Sequence, residues 1–355
     1  MGGGGDRGAA GAGDVIDLRS DTATRPSAAM LQAMVSAPLG DEQRREDPTV
    51  RELERLVAEL LGQEDALYLP TATMGNQIAI LTLSNPGEEI LAEEGAHVFS
   101  AEQGGVAVHS GLAQRPIDAP SGRFTADQVR AKLRDWGRFH TPRATVLSVE
   151  DTHNASGGRY WRMVELEPVV AVARESGLAL HLDGARLFNA AIARGRPAAE
   201  FARQFDTVCV CFSKGLGAPM GAALASSEER IERARLHKHR FGGALRQAGV
   251  VAAAALYGLR HNVERLADDH ARARRLADGL AGNGVPVRVD EVETNFVMVD
   301  VGPDPEAATK RLRAHGVLLS GTLEPTVMRA VTHMDIDDDA IERAITQIAA
   351  ALRAG

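Results

Sequence analysis

Asp206-Thr-Val-Cys-Val-Cys-Phe-Ser-Lys-Gly-Leu-Gly-Ala-Pro-Met-Gly221 sets the reading of the whole chain. Residues 207–212 are continuously apolar and partly β-branched, the pattern of a short strand buried on both faces. The run stops at Ser213-Lys214, in a turn that carries Gly215, Gly217 and Gly221. Lysine is seldom buried without a partner. An ammonium desolvated at a strand end has its pKa lowered toward that of a working amine nucleophile, the form a Schiff base needs. The alternative is a lysine whose stem lies along apolar surface while its head stays in water.

Upstream, Leu178-Ala-Leu-His-Leu-Asp-Gly-Ala-Arg-Leu-Phe-Asn189 reads as a second buried strand that ends on Asp183, with Arg186 at the start of a helix. A pyridoxal phosphate (PLP) enzyme needs a lysine to bond the cofactor and an acid against the pyridinium nitrogen. Open α/β sheets bind ligands at the carboxyl ends of their strands, so a strand-end Asp and a strand-end Lys are the expected supply. His153, in Glu150-Asp-Thr-His-Asn154, and His97, in Glu93-Glu-Gly-Ala-His97, also follow strands; each alone reads as a surface-loop histidine. Pro70-Thr-Ala-Thr-Met-Gly-Asn76 joins a strand to a helix. The amides of Ala72, Thr73 and Met74 there form an anion site, since unpaired N–H groups and the helix dipole face an incoming phosphate. The plainer reading is an ordinary capped helix.

With 355 residues, 44% hydrophobic and 25% charged, the chain is long enough for a large core and is divided into two domains. A net charge of −8 and a pI near 5.8 speak against a nucleic-acid partner. Of four lysines, Lys132 falls in a polar helix, Lys238 in the basic run 233–240 and Lys310 in a charged helix; only Lys214 follows a buried strand. Cys209 and Cys211 alternate within that strand and read as buried thiols of a reducing compartment, which makes the cytoplasm the expected location. No Cys/His pairs with zinc spacing accompany them, so no metal site is expected. No apolar run approaches the roughly 20 residues of a membrane span, and none resembles a signal peptide. Residues 1–13, rich in Gly and Ala, read as a disordered tail.

Strands are expected at 66–69, 90–92, 114–117, 144–149, 178–182, 207–212 and 222–225, with helical patterns between most of them. That alternation means a mainly parallel seven-stranded sheet covered by helices on both faces. From 246 to about 280 the pattern is long and helical, and short strands at 285–289, 296–301, 317–320 and 328–331 follow with further helices. The expected division is a large α/β domain with an N-terminal arm at 14–260 and a smaller C-terminal α/β domain at 261–355.

Together, Asp17-Leu-Arg-Ser-Asp-Thr22, Glu46-Asp-Pro-Thr-Val50, Pro70 to Asn76, Glu150 to Asn154, His181 to Leu187, Ser213 to Pro219, Gly242-Gly-Ala-Leu-Arg-Gln247 and Arg329-Ala-Val-Thr-His333 resemble the L-threonine aldolases of the fold-type-I PLP enzymes. The resemblance covers nearly all of the chain after Asp14. It implies that Lys214 bonds PLP, Asp183 pairs with the pyridine nitrogen, Arg186 contacts the ring oxygen and the substrate, and His97 stacks on the ring. Ala72 and Thr73, with Ser213 beside them, would hold the phosphate, and Arg246 would reach it from a neighbouring subunit of a homodimer or homotetramer. Ser20 and Arg329 would bind the substrate carboxylate, and His153 would act, directly or through water, on the β-hydroxyl of a small β-hydroxy-α-amino acid. The implied reaction is cleavage of threonine or allo-threonine to glycine and an aldehyde. β-Elimination and transamination use the same cofactor residues, serine hydroxymethyl transfer lacks a folate-linked motif, and a non-enzymatic sensor would show a fused partner domain or a lost lysine. The chain departs from the family at Ala72-Thr73 in place of Gly-Thr, at Ala244 in a Gly-Gly-Gly run, at His239 in place of lysine, and at Arg44-Arg45 in place of Tyr-Gly.

Overall fold

The computed structural model describes residues 15–134 and 139–353; the tail expected over 1–13 lies outside them. Twelve strands occur in the order β1 (Ile16–Asp17), β2 (Asp65–Leu69), β3 (Glu89–Glu93), β4 (Ala113–Ile117), β5 (Ala144–Glu150), β6 (Ala179–Gly184), β7 (Thr207–Cys211), β8 (Ala222–Ser226), β9 (Phe296–Asp300), β10 (Val317–Leu318), β11 (Ser320–Gly321) and β12 (Val327–Val331). Seven form one sheet in the order β2-β8-β7-β6-β5-β3-β4. Within it β8 alone runs against its neighbours, and the other ladders are parallel. β7, buried at every position, is an interior strand, as its unbroken apolar run implies.

The strand expected at 285–289 does not form. Pro286 cannot donate to a ladder, so only Val287 bridges to Val299, and the chain turns through a short 3-10 segment at Val289–Glu291. The expected strand at 317–320 breaks in two: β10 pairs with β1, whereas β11 pairs with β12 and through it with β9. The long helical stretch is two helices, Gly249–His261 and Leu266–Gly282.

Two large apolar cores and two smaller clusters result among the described residues. The first packs Leu147, Leu182 and Val208 of the sheet against Trp161, Phe201 and Leu256. The second gathers Leu276, Val299, Ile341 and Ile345, together with Ile16 and Leu18 of the N-terminal arm. The helix Leu266–Gly282 contributes Leu266 to the first and Leu276 to the second, so one rigid rod belongs to both. Leu18 also hydrogen-bonds at both ends, its N–H donating to Leu318 (2.9 Å) and its carbonyl accepting from Val331 (2.8 Å). The arm is thereby held against the C-terminal strands directly beside Ser20 and Asp21.

Candidate active site

The parallel strands deliver their carboxyl ends to one edge: Glu93 from β3, Glu150 from β5, Asp183 from β6, and Ser213 and Lys214 just beyond β7. β6 and β7 are hydrogen-bonded neighbours, with Asp183 opposite Cys209, which brings the acid and the lysine to adjacent strand ends. After Lys214 the chain reverses at Gly217, whose φ of +81° strains any side chain, and Gly217 N–H closes the turn on the Lys214 carbonyl (2.9 Å). Lys214 is partly exposed, and no hydrogen bond or ion pair engages its ammonium among the described residues. Lys238, within the basic run 233–240, is turned inward: it is 2% exposed and its Nζ lies 2.6 Å from Glu42 Oε1.

Asp183 is buried. Its Oδ2 accepts from Asn76 Nδ2 (2.8 Å) and its Oδ1 from Ala185 N–H (3.1 Å). Asn76 Nδ2 also donates to Glu102 Oε1 (2.8 Å), so a single amide bridges two buried carboxylates. Asn76 Oδ1 faces His181 Nε2 (3.1 Å), and His181 Nδ1 faces Thr207 Oγ1 (2.9 Å). Burial holds the His181 pKa down to about 4. The ring is therefore neutral, with Nε2–H donating to the amide and Nδ1 accepting from the hydroxyl.

Thr71 caps the helix Ala72–Leu83, its Oγ1 accepting from Met74 N–H (3.2 Å). Met74 is thus lost from the expected anion-binding set. The amides of Ala72 and Thr73 remain without acceptors among the described residues, at the positive end of a helix whose N-terminus adjoins the sheet. Ser213 Oγ lies 3.3 Å from Cys211 Sγ.

A cluster of cations faces this edge. Arg186 is buried and grips Asp21 through Nε (2.7 Å) and Nη2 (2.6 Å), a bidentate pair. Burial alone would raise the Asp21 pKa, but the Arg186 charge and hydrogen bond, with the Lys214 charge behind them, hold it at about 2. Arg329, on β12, donates from Nη1 to Asn154 Oδ1 (2.6 Å) and has no carboxylate ion-pair partner among the described residues, where its buried Nε is also without an acceptor. Burial, and then the Arg186 charge, push its pKa down to about 10. Both guanidinium groups lie over the Phe296 ring, at 4.9 and 5.4 Å from its centroid. Ser20 caps the short turn Asp21–Ala23 and accepts from Thr22 N–H (3.2 Å).

The two histidines differ. His153 is 1% exposed, with Nε2 2.8 Å from Glu93 Oε2 but off the line of a hydrogen bond, and Nδ1 3.2 Å from Ser156 Oγ. Gly122 sits so close above it that a Cβ there falls 2.4 Å from the ring. His153 is therefore sealed from the open edge within one chain. His97 opens the short helix His97–Ser100; its N–H donates to Glu150 Oε2 (2.7 Å) and its Nδ1 lies 2.8 Å from Glu102 Oε1. Its side chain is 31% exposed. Arg246 lies apart from all of these, its side chain 65% exposed and touching only Asp41, at 3.3 Å.

The profile of the beta-eliminating lyase family matches residues 17–303. The chain belongs to that family. A low specificity L-threonine aldolase of Escherichia coli K12 is 40% identical over 324 residues, which cover 91% of this chain and 95% of that protein. A threonine aldolase of Leishmania major superposes with a TM-score of 0.81 at 20% identity, covering 95% of this chain and 99% of that one. A structure of serine palmitoyltransferase with PLP superposes with a TM-score of 0.72 at 19% identity, covering 96% and 88%. Both structural likenesses are likenesses of fold, and the fold is that of the type-I PLP enzymes.

The family's cofactor suits the beta-eliminating lyase site found here. Two amides without acceptors among the described residues, at a helix N-terminus, suit a phosphate, a buried carboxylate suits a protonated ring nitrogen, and Lys214 has no ion-pair partner among the described residues. Asp21, Asn76, Glu102, Asn154 and Phe296 were given no role by sequence reasoning. Asp21, Asn76 and Asn154 stood inside quoted motifs, so their signal was present; nothing local marks Glu102 or Phe296.

Proposed function

We propose that this chain is a PLP-dependent aldehyde-lyase that cleaves L-threonine, L-allo-threonine or a related β-hydroxy-α-amino acid to glycine and an aldehyde. The observation that carries the proposal is the charge arrangement at the substrate end. Arg186 is already neutralised by Asp21, whereas Arg329 is a partly buried cation with no carboxylate of its own. A buried charge without a partner is costly, and an α-carboxylate relieves that cost, with Ser20 beside it to donate a hydroxyl.

Lys214 would bond the cofactor, Asp183 would face its ring nitrogen, Arg186 its ring oxygen, and His97 its face. Ala72, Thr73 and Ser213 would hold its phosphate. When bound, PLP supplies the electron sink into which the Cα–Cβ bonding pair passes. Asp183 would keep that sink protonated, and Asn76 Nδ2 and Ala185 N–H, each donating to one of its oxygens, hold the carboxylate in place. Arg329 and Ser20 fix the carboxylate and so decide which bond at Cα is presented for cleavage. A histidine takes the β-hydroxyl proton. His97 is the more accessible of the two, whereas His153, the histidine the resemblance gave this role, lies closed in beneath the edge.

The partner proposed is a second copy of the chain. Arg246 is too exposed and too weakly paired to be a structural cation, and Leu31, Val35, Leu39 and Val250 leave an apolar face nearby. Arg246 of one copy would reach the phosphate site of the other, in a homodimer or homotetramer. The division at 14–260 and 261–355 is kept as two lobes joined by the helix Leu266–Gly282. The buried free thiols Cys209 and Cys211 support a reducing, cytoplasmic setting, and no helix among the described residues is long and apolar enough to cross a membrane.

The test pairs product analysis with mapping. Purified protein with PLP should release glycine and acetaldehyde from L-threonine, and borohydride should place the reduced cofactor on Lys214. Pyruvate and ammonia from serine, with no glycine from threonine, would favour the elimination reading that the family's name carries. An adduct on Lys132, Lys238 or Lys310 would overturn the assignment of Lys214.

A further inference from the structure

We infer that Glu102 is a positioning residue that forms a dyad with His97, fixing the imidazole with its proton on Nδ1 so that Nε2 is the base for the β-hydroxyl. The inference rests on the aldolase reading and assigns its proton transfer to one atom.

Glu102 has every feature of a carboxylate placed to orient something. Its side chain is fully buried, yet it has no Lys or Arg partner, and it is surrounded by donors. Asn76 Nδ2 donates to Oε1 (2.8 Å), Gln77 Nε2 donates to Oε2, and His97 Nδ1 lies 2.8 Å from Oε1. A carboxylate only accepts, so the contact requires the proton to be on His97 Nδ1. Nε2 is left with no hydrogen bond among the described residues, on a ring that is partly open to the strand-end edge. His153, the other histidine of the site, is closed in by Gly122 and turned to Glu93. Geometry therefore favours His97 as the group that a substrate can touch.

The electrostatics follow. Three carboxylates face the ring from three elements: Glu102 from the loop before the helix Gly105–Ser110, Glu150 from the end of β5 and Asp183 from β6. Burial lowers the His97 pKa, but the Glu102 hydrogen bond and the charges of Asp183, Glu150 and Glu102 more than offset it, and the net shift is upward. A base with a raised pKa accepts a proton more readily. The proton leaving the β-hydroxyl moves to Nε2, the imidazolium so formed faces Glu102, and the proton later returns to solvent or product. Asn76 ties the dyad to the cofactor's acid, because the same amide nitrogen holds both Glu102 and Asp183.

The test uses the full-length, PLP-loaded protein labelled with 15N-histidine, with the His97 signals assigned by His97→Asn. The parent should show the Nδ1–H tautomer above its midpoint. Glu102→Gln should lower that midpoint by about one pH unit and move the acid limb of kcat by the same amount in the same direction, with KM changed by less than about threefold. Glu102→Asp should recover part of both shifts. An Nε2–H tautomer in the parent overturns the inference, and this reading does not depend on any Glu102 variant folding. So does a parent that cleaves threonine while Glu102→Gln leaves both midpoint and limb in place. A parent that cleaves no β-hydroxy-α-amino acid overturns the functional reading itself, whatever the imidazole titration shows.

Discussion

Asp21 shows what a single buried side chain does here. It cancels the charge of Arg186, so that of the two guanidiniums over Phe296 only Arg329 presents a net attraction to an incoming anion. The Asp21 pKa is depressed to about 2 in the folded chain against an ordinary value of 3.8, so the pair's contribution is present above about pH 4 and is lost as pH falls toward 2. That displacement corresponds to roughly 2 kcal/mol. Asp21→Asn should cost more at neutral pH, about 3–5 kcal/mol, because it strands Arg186 as an unpaired buried charge. Urea unfolding from pH 7 to pH 2 checks this: the gap between parent and variant should narrow only below pH 4, and a gap independent of pH would mean that Asp21 is not ionised in the fold. The same residue shows the limit of reading a sequence. Lys214 and Asp183 are legible because each ends an apolar run on a charge, a local pattern. The partnership of Asp21 with Arg186 joins residues 165 positions apart and leaves no local trace. Glu102 is hidden more completely, in a loop where an exposed acid is the ordinary expectation.

At the scale of elements, the turn that carries Arg246 depends on a buried ion pair between segments far apart in sequence. Glu42 Oε1 meets Lys238 Nζ, its Oε2 accepts from Leu245 N–H (2.9 Å), and its own N–H donates to the Arg246 carbonyl (2.9 Å). One side chain and its backbone thus bracket Leu245 and Arg246, at the N–H of the first and the carbonyl of the second. Burial lowers the Lys238 pKa while Glu42 works against that. Glu42→Gln should destabilise the fold by about 3–5 kcal/mol, since the lysine keeps its desolvation and loses its counter-charge, and Lys238→Met added to it should restore most of the loss. Equilibrium denaturation of the two single variants and the double variant tests this; additive losses would show that the residues are not coupled. Seven strands and most helices were legible because apolar runs, caps and glycines mark them. Residues 285–289 were misread because valine alternation outvoted Pro286, and the burial of Lys238 was not legible because five other basic residues within 233–240 surround the one that turns inward.

For the whole molecule, the expectation is at least a dimer. Arg246→Ala should weaken PLP binding about tenfold, as loss of one phosphate contact implies, without changing the sedimentation coefficient. A fully active monomer at assay concentration would rule out the cross-subunit role of Arg246. Within one chain the lobes are not independent, because the N-terminal arm is stitched into the C-terminal core through β1 and β10. That stitching has a consequence for biosynthesis. A ribosome makes Ser20 and Asp21 long before the strands β10 and β12 that hold them, so the site proposed for the substrate carboxylate cannot exist until those strands have emerged. The seven-stranded sheet and its lysine precede β10 in the chain and can fold during translation, and the proposed carboxylate site is completed only after β10 and β12 join them. A premature stop before β10 would therefore leave a protein with its lysine in place and no pocket to use it.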